Sequence, residues 1–295
     1  MPNAWVSEFA DACEEAANLW ERQIVFVVGA AKSGTTWVQN LLGGHPDIVS
    51  DGESMAGMAL LPTLRDALNF HNDSHTMGRD GRLDDDDLMQ AWRLLVGRLF
   101  HRWCERIGEL DPAVVAEKTP SHAECLENLE KLVPHMKVIH VIRDGRDVVT
   151  SGWFHNVRRK AHIFTRDYTT QKDFVVRGQG AAQWITRITR AQEWGKHHIS
   201  RYWEVHYEDL VKRTVKEISG LLNFLNVAHD STSIKMCTDA GSFENVTGGR
   251  ARGVEDRDSF YRKGIVGDWR NSLDPEAYTA FMKLAGPLMR KLGYT

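Results

Sequence analysis

One unit near the start of the chain constrains the fold more than any other. Ile24-Val-Phe-Val-Val28 is apolar at every position, and all of it but Phe26 is β-branched. An unbroken apolar run of this length suits a strand covered on both faces, as in a parallel sheet. Gly29-Ala-Ala-Lys-Ser-Gly34 follows, and then Thr35-Thr-Trp-Val-Gln-Asn-Leu-Leu42, which has helical character. A glycine-containing loop that opens a helix directly after a buried strand presents successive backbone N–H groups and the positive end of the helix dipole. Lys32 adds a full positive charge, and Thr35 and Thr36 add hydroxyl donors. The unit reads as an anion-binding loop rather than a plain strand-to-helix turn.

The remaining chain repeats the strand and helix alternation. Residues 1–22 have helical spacing of Trp5, Phe9, Ala12, Ala16 and Leu19. Val114–Ala116 is a short strand, Asn128–Val133 ends a helix, and Lys137–Ile142 is a second buried strand. Helical patterns cover Gln183–His197, Val215–Leu225 and Pro275–Leu292, with a strand at Tyr202–Tyr207. Residues 241–271, rich in Gly and Arg, read as long loops with functional potential. This order predicts an α/β fold: one three-layer domain over residues 1–295, with a central parallel sheet and a P-loop-like anion-binding loop. At 295 residues the chain is long enough for a sizeable core.

Composition narrows the function. The formal net charge is -3, from 37 basic and 40 acidic residues, which offers no general basic field for nucleic acid. An anion site must therefore be built locally. Asp84–Asp87 precedes a helical pattern and reads as its acidic first turn, not a metal site. Cys13, Cys104, Cys125 and Cys237 are scattered, as reduced thiols are. The N-terminal segment is acidic where a secretion signal is basic, and no apolar run is long enough to span a bilayer. The protein is expected to be cytoplasmic, without nucleic-acid partner or membrane insertion.

The loop departs from the Walker A pattern, G-x-x-x-x-G-K-[ST]. Gly29 and Gly34 have the right spacing, but Thr35 stands where the lysine belongs. Asp144, after the second buried strand, could serve as a magnesium ligand, yet Arg143 and Arg146 flank it and favour an anion. A P-loop NTPase or kinase-type phosphotransferase is the competing reading, and a non-catalytic nucleotide-binding protein is a third.

In several pieces, in order, the sequence resembles the sulfotransferases that use 3'-phosphoadenosine 5'-phosphosulfate (PAPS). Lys32-Ser-Gly-Thr-Thr-Trp37 resembles their 5'-phosphosulfate loop. The resemblance implies that Lys32, Ser33, Gly34, Thr35 and Thr36 hold that group and that Trp37 stacks on the adenine. Val141-Ile-Arg-Asp-Gly-Arg-Asp-Val-Val-Thr-Ser151 resembles the 3'-phosphate segment, which assigns Arg143 and Ser151. Tyr261-Arg-Lys-Gly-Ile-Val-Gly-Asp-Trp-Arg-Asn271 resembles the C-terminal lid of the cytosolic branch, with Arg262, Lys263 and Gly264 clamping the 3'-phosphate. Tyr207-Glu-Asp-Leu and Ser242-Phe243 resemble the segments that approach and sandwich the base. PAPS is then the co-substrate, released as adenosine 3',5'-bisphosphate (PAP), and no metal is required.

The expected reaction is in-line sulfuryl transfer to a hydroxyl, or an amine, of a small-molecule acceptor such as an alcohol or phenol. Such an acceptor needs a general base. Glu53, in His45-Pro-Asp-Ile-Val-Ser-Asp-Gly-Glu53, resembles the base of the tyrosylprotein branch. His122, in Glu117-Lys-Thr-Pro-Ser-His122, resembles a segment of bacterial and carbohydrate-directed members. Both stand as candidates, with Lys118 and Lys32 beside the sulfuryl group. The dimer motif of the cytosolic branch is not found near the C-terminus, which leaves the oligomeric state open.

Overall fold

In a computed structural model the protein is described over residues 4–74, 81–178 and 180–295, with the backbone alone at 160, 161 and 163. Residues 1–3 of the expected first helix, and residues 75–80 and 179, lie outside the described residues.

Five parallel strands form one sheet in the order β2-β3-β1-β4-β5. They are β1 Gln23–Gly29, β2 Ile48–Ser50, β3 Val114–Glu117, β4 Lys137–Ile142 and β5 Tyr202–His206. Side chains alternate across the sheet, so apolar runs serve two cores at once. Ile24, Phe26 and Val28 of β1 pack on one face with Trp92, Phe100, Leu129 and Trp194. Val25 and Val27 pack on the other with Trp37, Val38, Leu41 and Leu221. The helices Asp85–Ile107 and Gly180–His197 cover the first face, and Thr35–Leu42 and Thr214–Leu225 the second. The result is the expected three-layer α/β arrangement.

The acidic run behaves as read. Asp84 caps the helix Asp85–Ile107, accepting from the N–H groups of Asp86 and Asp87, while the Asp87 carboxylate accepts from the Asp84 N–H. The segment 241–271 differs slightly from a pure loop, because Phe243–Thr247 and Trp269–Ser272 each form a short helix. No helix of the described residues is long and apolar enough to cross a membrane.

The strand order positions the site. From β1 the chain leads to β2 and β3 on one side, and from β4 it leads to β5 on the other. β1 and β4 are neighbours, paired from Val25 opposite Lys137 to Gly29 opposite Val141. Between two strands whose connections diverge, their carboxyl ends leave a crevice, which is where open α/β sheets bind ligands. The glycine loop leaves β1 there, and Arg143 follows β4.

Candidate functional site

The loop after β1 is shaped by close packing. Gly29, Lys32 and Gly34 have φ of 151°, 74° and 103°. A side chain at Gly29 would place its Cβ 2.4 Å from the Val141 carbonyl oxygen, and one at Gly34 would lie 2.5 Å from the Tyr207 ring. The glycines are therefore steric requirements of a loop pressed against β4 and Tyr207. Thr35 opens the helix Thr35–Leu42, so loop and helix N-terminus converge as the sequence suggested.

A cavity of about 810 Å³ opens over this loop. Lys32, Gly34, Thr35, Thr36 and Trp37 line it, as do Arg143, Ser151, Tyr207, Phe243, Arg262, Lys263 and Gly264. Residues from five distant segments are thus brought to one space. Arg143 stacks on the Tyr207 ring, 4.3 Å from guanidinium carbon to ring centre, and donates to the carbonyls of Lys32 and Ile265 at 3.2 and 3.1 Å. Its Nε is buried without a partner among the described residues. A guanidinium so held, with an unused donor beside a glycine cradle, fits a phosphate-bearing ligand. Trp37 is fixed through its indole N–H to the Gly241 carbonyl at 2.7 Å, edge-on to Tyr207. The Arg252 guanidinium lies 5.0 and 5.3 Å from the Trp37 and Phe243 ring centres.

Two assignments are corrected. Ser33 is fully buried with its hydroxyl turned toward Gly29, outside the cavity. Ser242 also lies outside it, because its hydroxyl caps the helix Phe243–Thr247 by accepting from the Asn245 N–H.

Lys32 sits in low-dielectric, cationic surroundings. Its Nζ lies 4.0 Å over the Phe260 ring and donates to His155 Nδ1 at 3.4 Å. Burial, then the charges of Arg158, Arg143 and Lys118, lower its pKa to about 8. Burial, then Lys32, Arg158 and Arg159, lower His155 to about 4, so its ring is neutral and accepts. His155 was not anticipated. It lies four residues beyond Ser151 on the helix Gly145–Asp167, and that spacing is the signal that could have marked it.

The two base candidates have opposite surroundings. Glu53 is half-exposed, lines the cavity and pairs with the buried Lys118 ammonium. His122 is fully buried and away from the cavity. Its Nδ1 meets Glu117 Oε2 at 3.0 Å and its Nε2 accepts from the Gly57 N–H at 3.0 Å. With both nitrogens engaged inside the protein, the placement of His122 at the reaction centre is corrected. Glu117 is the hub of that buried network, accepting also from Thr119 and from the Ser54 N–H and hydroxyl. Burial works against its ionisation, but His122 and these donors outweigh it and hold the carboxyl below its ordinary range. The network ties the end of β3 to the segment that carries Glu53.

The C-terminal segment closes over the crevice. Asp147 accepts from the N–H groups of Gly267 and Trp269 at 2.7 and 3.0 Å. Arg262 and Lys263 are both paired with Asp268. Burial alone would raise the Asp268 carboxyl, but hydrogen bonds from Lys263 and Arg262 hold it below its usual range. Gly264 (φ 66°) packs so closely that a Cβ would lie 2.4 Å from the Phe243 ring. Asp144 is bound by Arg146 through both carboxylate oxygens and caps its own helix, so it is not free to hold a magnesium ion. Among the described residues no group of three or more His, Cys, Asp or Glu could hold a metal ion.

The fold and this cradle define a phosphate-loop α/β protein. The chain belongs to the Sulfotransferase family, whose model matches residues 24–231. It is 28% identical over 207 residues to protein-tyrosine sulfotransferase 1 of Danio rerio, covering 69% of this chain and 53% of that one. It is 26% identical over 188 residues to cytosolic sulfotransferase 3 of Arabidopsis thaliana, covering 56% of each. The chain thus spans about half the length of these curated relatives. Its fold is similar to the crystal structure of mouse sulfotransferase SULT7A1 complexed with PAP, with TM-score 0.58 and 19% identity over 94% of this chain and 88% of that one. The sulfotransferase domain from the curacin biosynthetic pathway is similar too, with TM-score 0.55 and 17% identity over 90% and 97%.

Proposed function

We propose that the protein transfers the sulfuryl group of PAPS to the hydroxyl of a small-molecule acceptor, as one cytoplasmic domain spanning residues 1–295. The observation that carries this reading is the convergence of the glycine loop, Lys32, Arg143 and Glu53 on one cavity, with the buried Lys118 paired to Glu53 behind its wall. The solved neighbour complexed with PAP supports the choice of nucleotide.

PAPS supplies an activated sulfuryl group with a phosphate as leaving group. Lys32 and the backbone N–H groups that open Thr35–Leu42 stabilise charge on the leaving oxygen as the bond breaks. Arg143 and Ser151 receive the 3'-phosphate, and Arg262 and Lys263 exchange Asp268 for it. Trp37 and Phe243 flank the base once Arg252 moves aside. Glu53 takes the acceptor proton, and Lys118 orients that carboxylate until it does. His122 acts only through the Glu117 network.

Thermal shift separates this reading from the phosphotransferase one. PAP without magnesium is expected to stabilise the protein strongly. Stabilisation by Mg-ATP but not by PAP would refute the reading. Glu53→Gln is expected to lower transfer by roughly 10²–10⁴-fold while PAP still binds, measured with radiolabelled PAPS and a panel of phenols, alcohols and tyrosyl peptides. Wild-type transfer to any of them removes the non-catalytic reading.

A further inference from the structure

Twelve of the residues lining the cavity are assigned to the nucleotide, yet the cavity carries more positive charge than those supply. Its carboxylates are all neutralised by cations: Glu53 by Lys118, Asp147 by Arg143, Asp167 by Arg166, and Asp268 by Arg262 and Lys263. Arg187 is paired with Glu124. Among the described residues, four lining cations have no carboxylate partner: Lys32, Arg252, Arg158 and Arg159. Lys32 belongs to the glycine loop, and Arg252 lies between the two rings of the base slot. Arg158 and Arg159 have no such assignment.

Both project from the helix Gly145–Asp167 beyond the nucleotide residues. Arg158 is seven residues from Ser151, on the stripe that carries His155. It donates to His155 Nδ1 at 3.2 Å and to the Asp258 carbonyl at 2.8 Å, and neither partner cancels its charge. Arg159 is exposed and is seven residues from Gly152, which packs against the Phe174 ring. Phe174 meets Phe164 with ring centres 5.5 Å apart, and Phe164 meets Tyr168 at 5.1 Å. These three rings line the same cavity and form an aromatic wall. Besides the nucleotide cradle, the cavity thus holds an aromatic surface, two arginines without a carboxylate partner among the described residues, and the Glu53 carboxylate.

We infer that the acceptor is a small aromatic alcohol or phenol that carries a second, anionic group, with its ring against Phe164, Phe174 and Tyr168 and its anion on Arg158 and Arg159. This rests on the sulfotransferase reading above and specifies its acceptor. Arg158 is partly buried and Arg159 exposed, and neither has a carboxylate partner among the described residues, so an anion that reaches both gains more than it would at one surface arginine. A guanidinium pair also offers two forks to a carboxylate, sulfate or phosphate.

The test uses acceptors of one skeleton: 3-(4-hydroxyphenyl)propionate, 4-propylphenol and 4-(3-aminopropyl)phenol, each with radiolabelled PAPS and the full chain. The carboxylate is expected to show at least a tenfold higher kcat/KM than the neutral phenol, expressed in KM. In Arg159→Gln and Arg158→Gln that ratio is expected to fall toward one. In Arg159→Glu the order is expected to reverse in favour of the amine, a gain that misfolding cannot imitate. PAP affinity is measured on every variant by thermal shift. Transfer with equal use of carboxylate and neutral phenol overturns the inference and leaves the sulfotransferase reading standing. An unchanged ratio in both Gln variants overturns it too, as does a PAP affinity that falls in step with the ratio, since the arginines would then serve the nucleotide. A tyrosyl peptide flanked by aspartates that is used while the small acid is not overturns the small-acceptor assignment. Failure of PAP to stabilise the wild type, with no transfer to anything, overturns both readings.

Discussion

Lys32 bears a conflict that only a bound anion resolves. Its ammonium is enclosed beside Phe260 and faces Arg158, Arg143 and Lys118, so burial and like charge lower its pKa to about 8 from the ordinary 10.5. Between those two values the unfolded chain binds the extra proton and the folded one does not. Lys32 therefore penalises the free fold below about pH 8, and the penalty is relieved as pH rises from there toward 10.5. Nucleotide binding has the opposite sign, because the charged form holds the anion. PAP affinity is expected to be flat below pH 8 and to fall by up to about tenfold per unit above it, read by calorimetry. Lys32→Met is expected to abolish that pH dependence and weaken PAP binding at pH 7, yet raise the melting temperature of the free protein. The gain is on the order of 1 kcal/mol after solvent screening is allowed for. At this scale the sequence was legible where a side chain is named by its loop, as at Lys32, Gly34 and Trp37. It was misleading at His122 and Ser242, where a polar residue beside a motif serves the backbone instead. Burial of a hydroxyl or an imidazole is a tertiary property that spacing does not encode.

Among the elements, the helix Gly145–Asp167 carries Ser151 of the nucleotide cradle and, further along, Arg158 and Arg159. Its first turn carries Asp147, which holds the closing segment through the Gly267 and Trp269 N–H groups and faces Arg143 at 3.5 Å. Hydrogen bonds to a buried carboxylate each contribute about 1.5–3 kcal/mol, so Asp147→Asn is expected to loosen the segment 250–268. Two measurements check this: roughly ten- to hundredfold weaker PAP binding, and faster tryptic cleavage among Arg250, Arg252, Arg257, Arg262 and Lys263. Unchanged cleavage would show that the segment is held elsewhere, for example by Asn40 on Tyr261. The buried strands β1 and β4 were readable because both faces are apolar. β2 was not, because Ile48–Ser50 is a three-residue edge strand inside a polar stretch. The second half of Gly145–Asp167 escaped for a related reason. It faces a cavity rather than a packed core, so its stripe is Ser151, His155 and Arg158, not a row of leucines.

For the molecule as a whole, a net charge of -3 coexists with a site lined by eight basic side chains. The sequence keeps these cations far apart, and β1–β4 adjacency together with the returning segment 241–268 brings them together. Ligand binding must therefore couple segments that the chain separates. Bound at 100 times its dissociation constant, PAP adds about 2.7 kcal/mol to global stability by mass action alone. Global unfolding is not the only route to amide exchange, and segments that open locally respond according to their contact with the ligand. Hydrogen exchange with PAP is accordingly expected to slow at residues 29–37, 143–152 and 241–268. The helix Ala4–Trp20 packs on Asp85–Ile107 at the far side of the first core, with Trp5 and Phe9 exposed, and its local opening makes no contact with the site. Its outer turns are expected to exchange at the same rate with and without PAP. Protection of 29–37 without protection of 241–268 would mean that the closing segment does not take part in binding, and the assignment of Arg262, Lys263 and Gly264 to the nucleotide would fall with it.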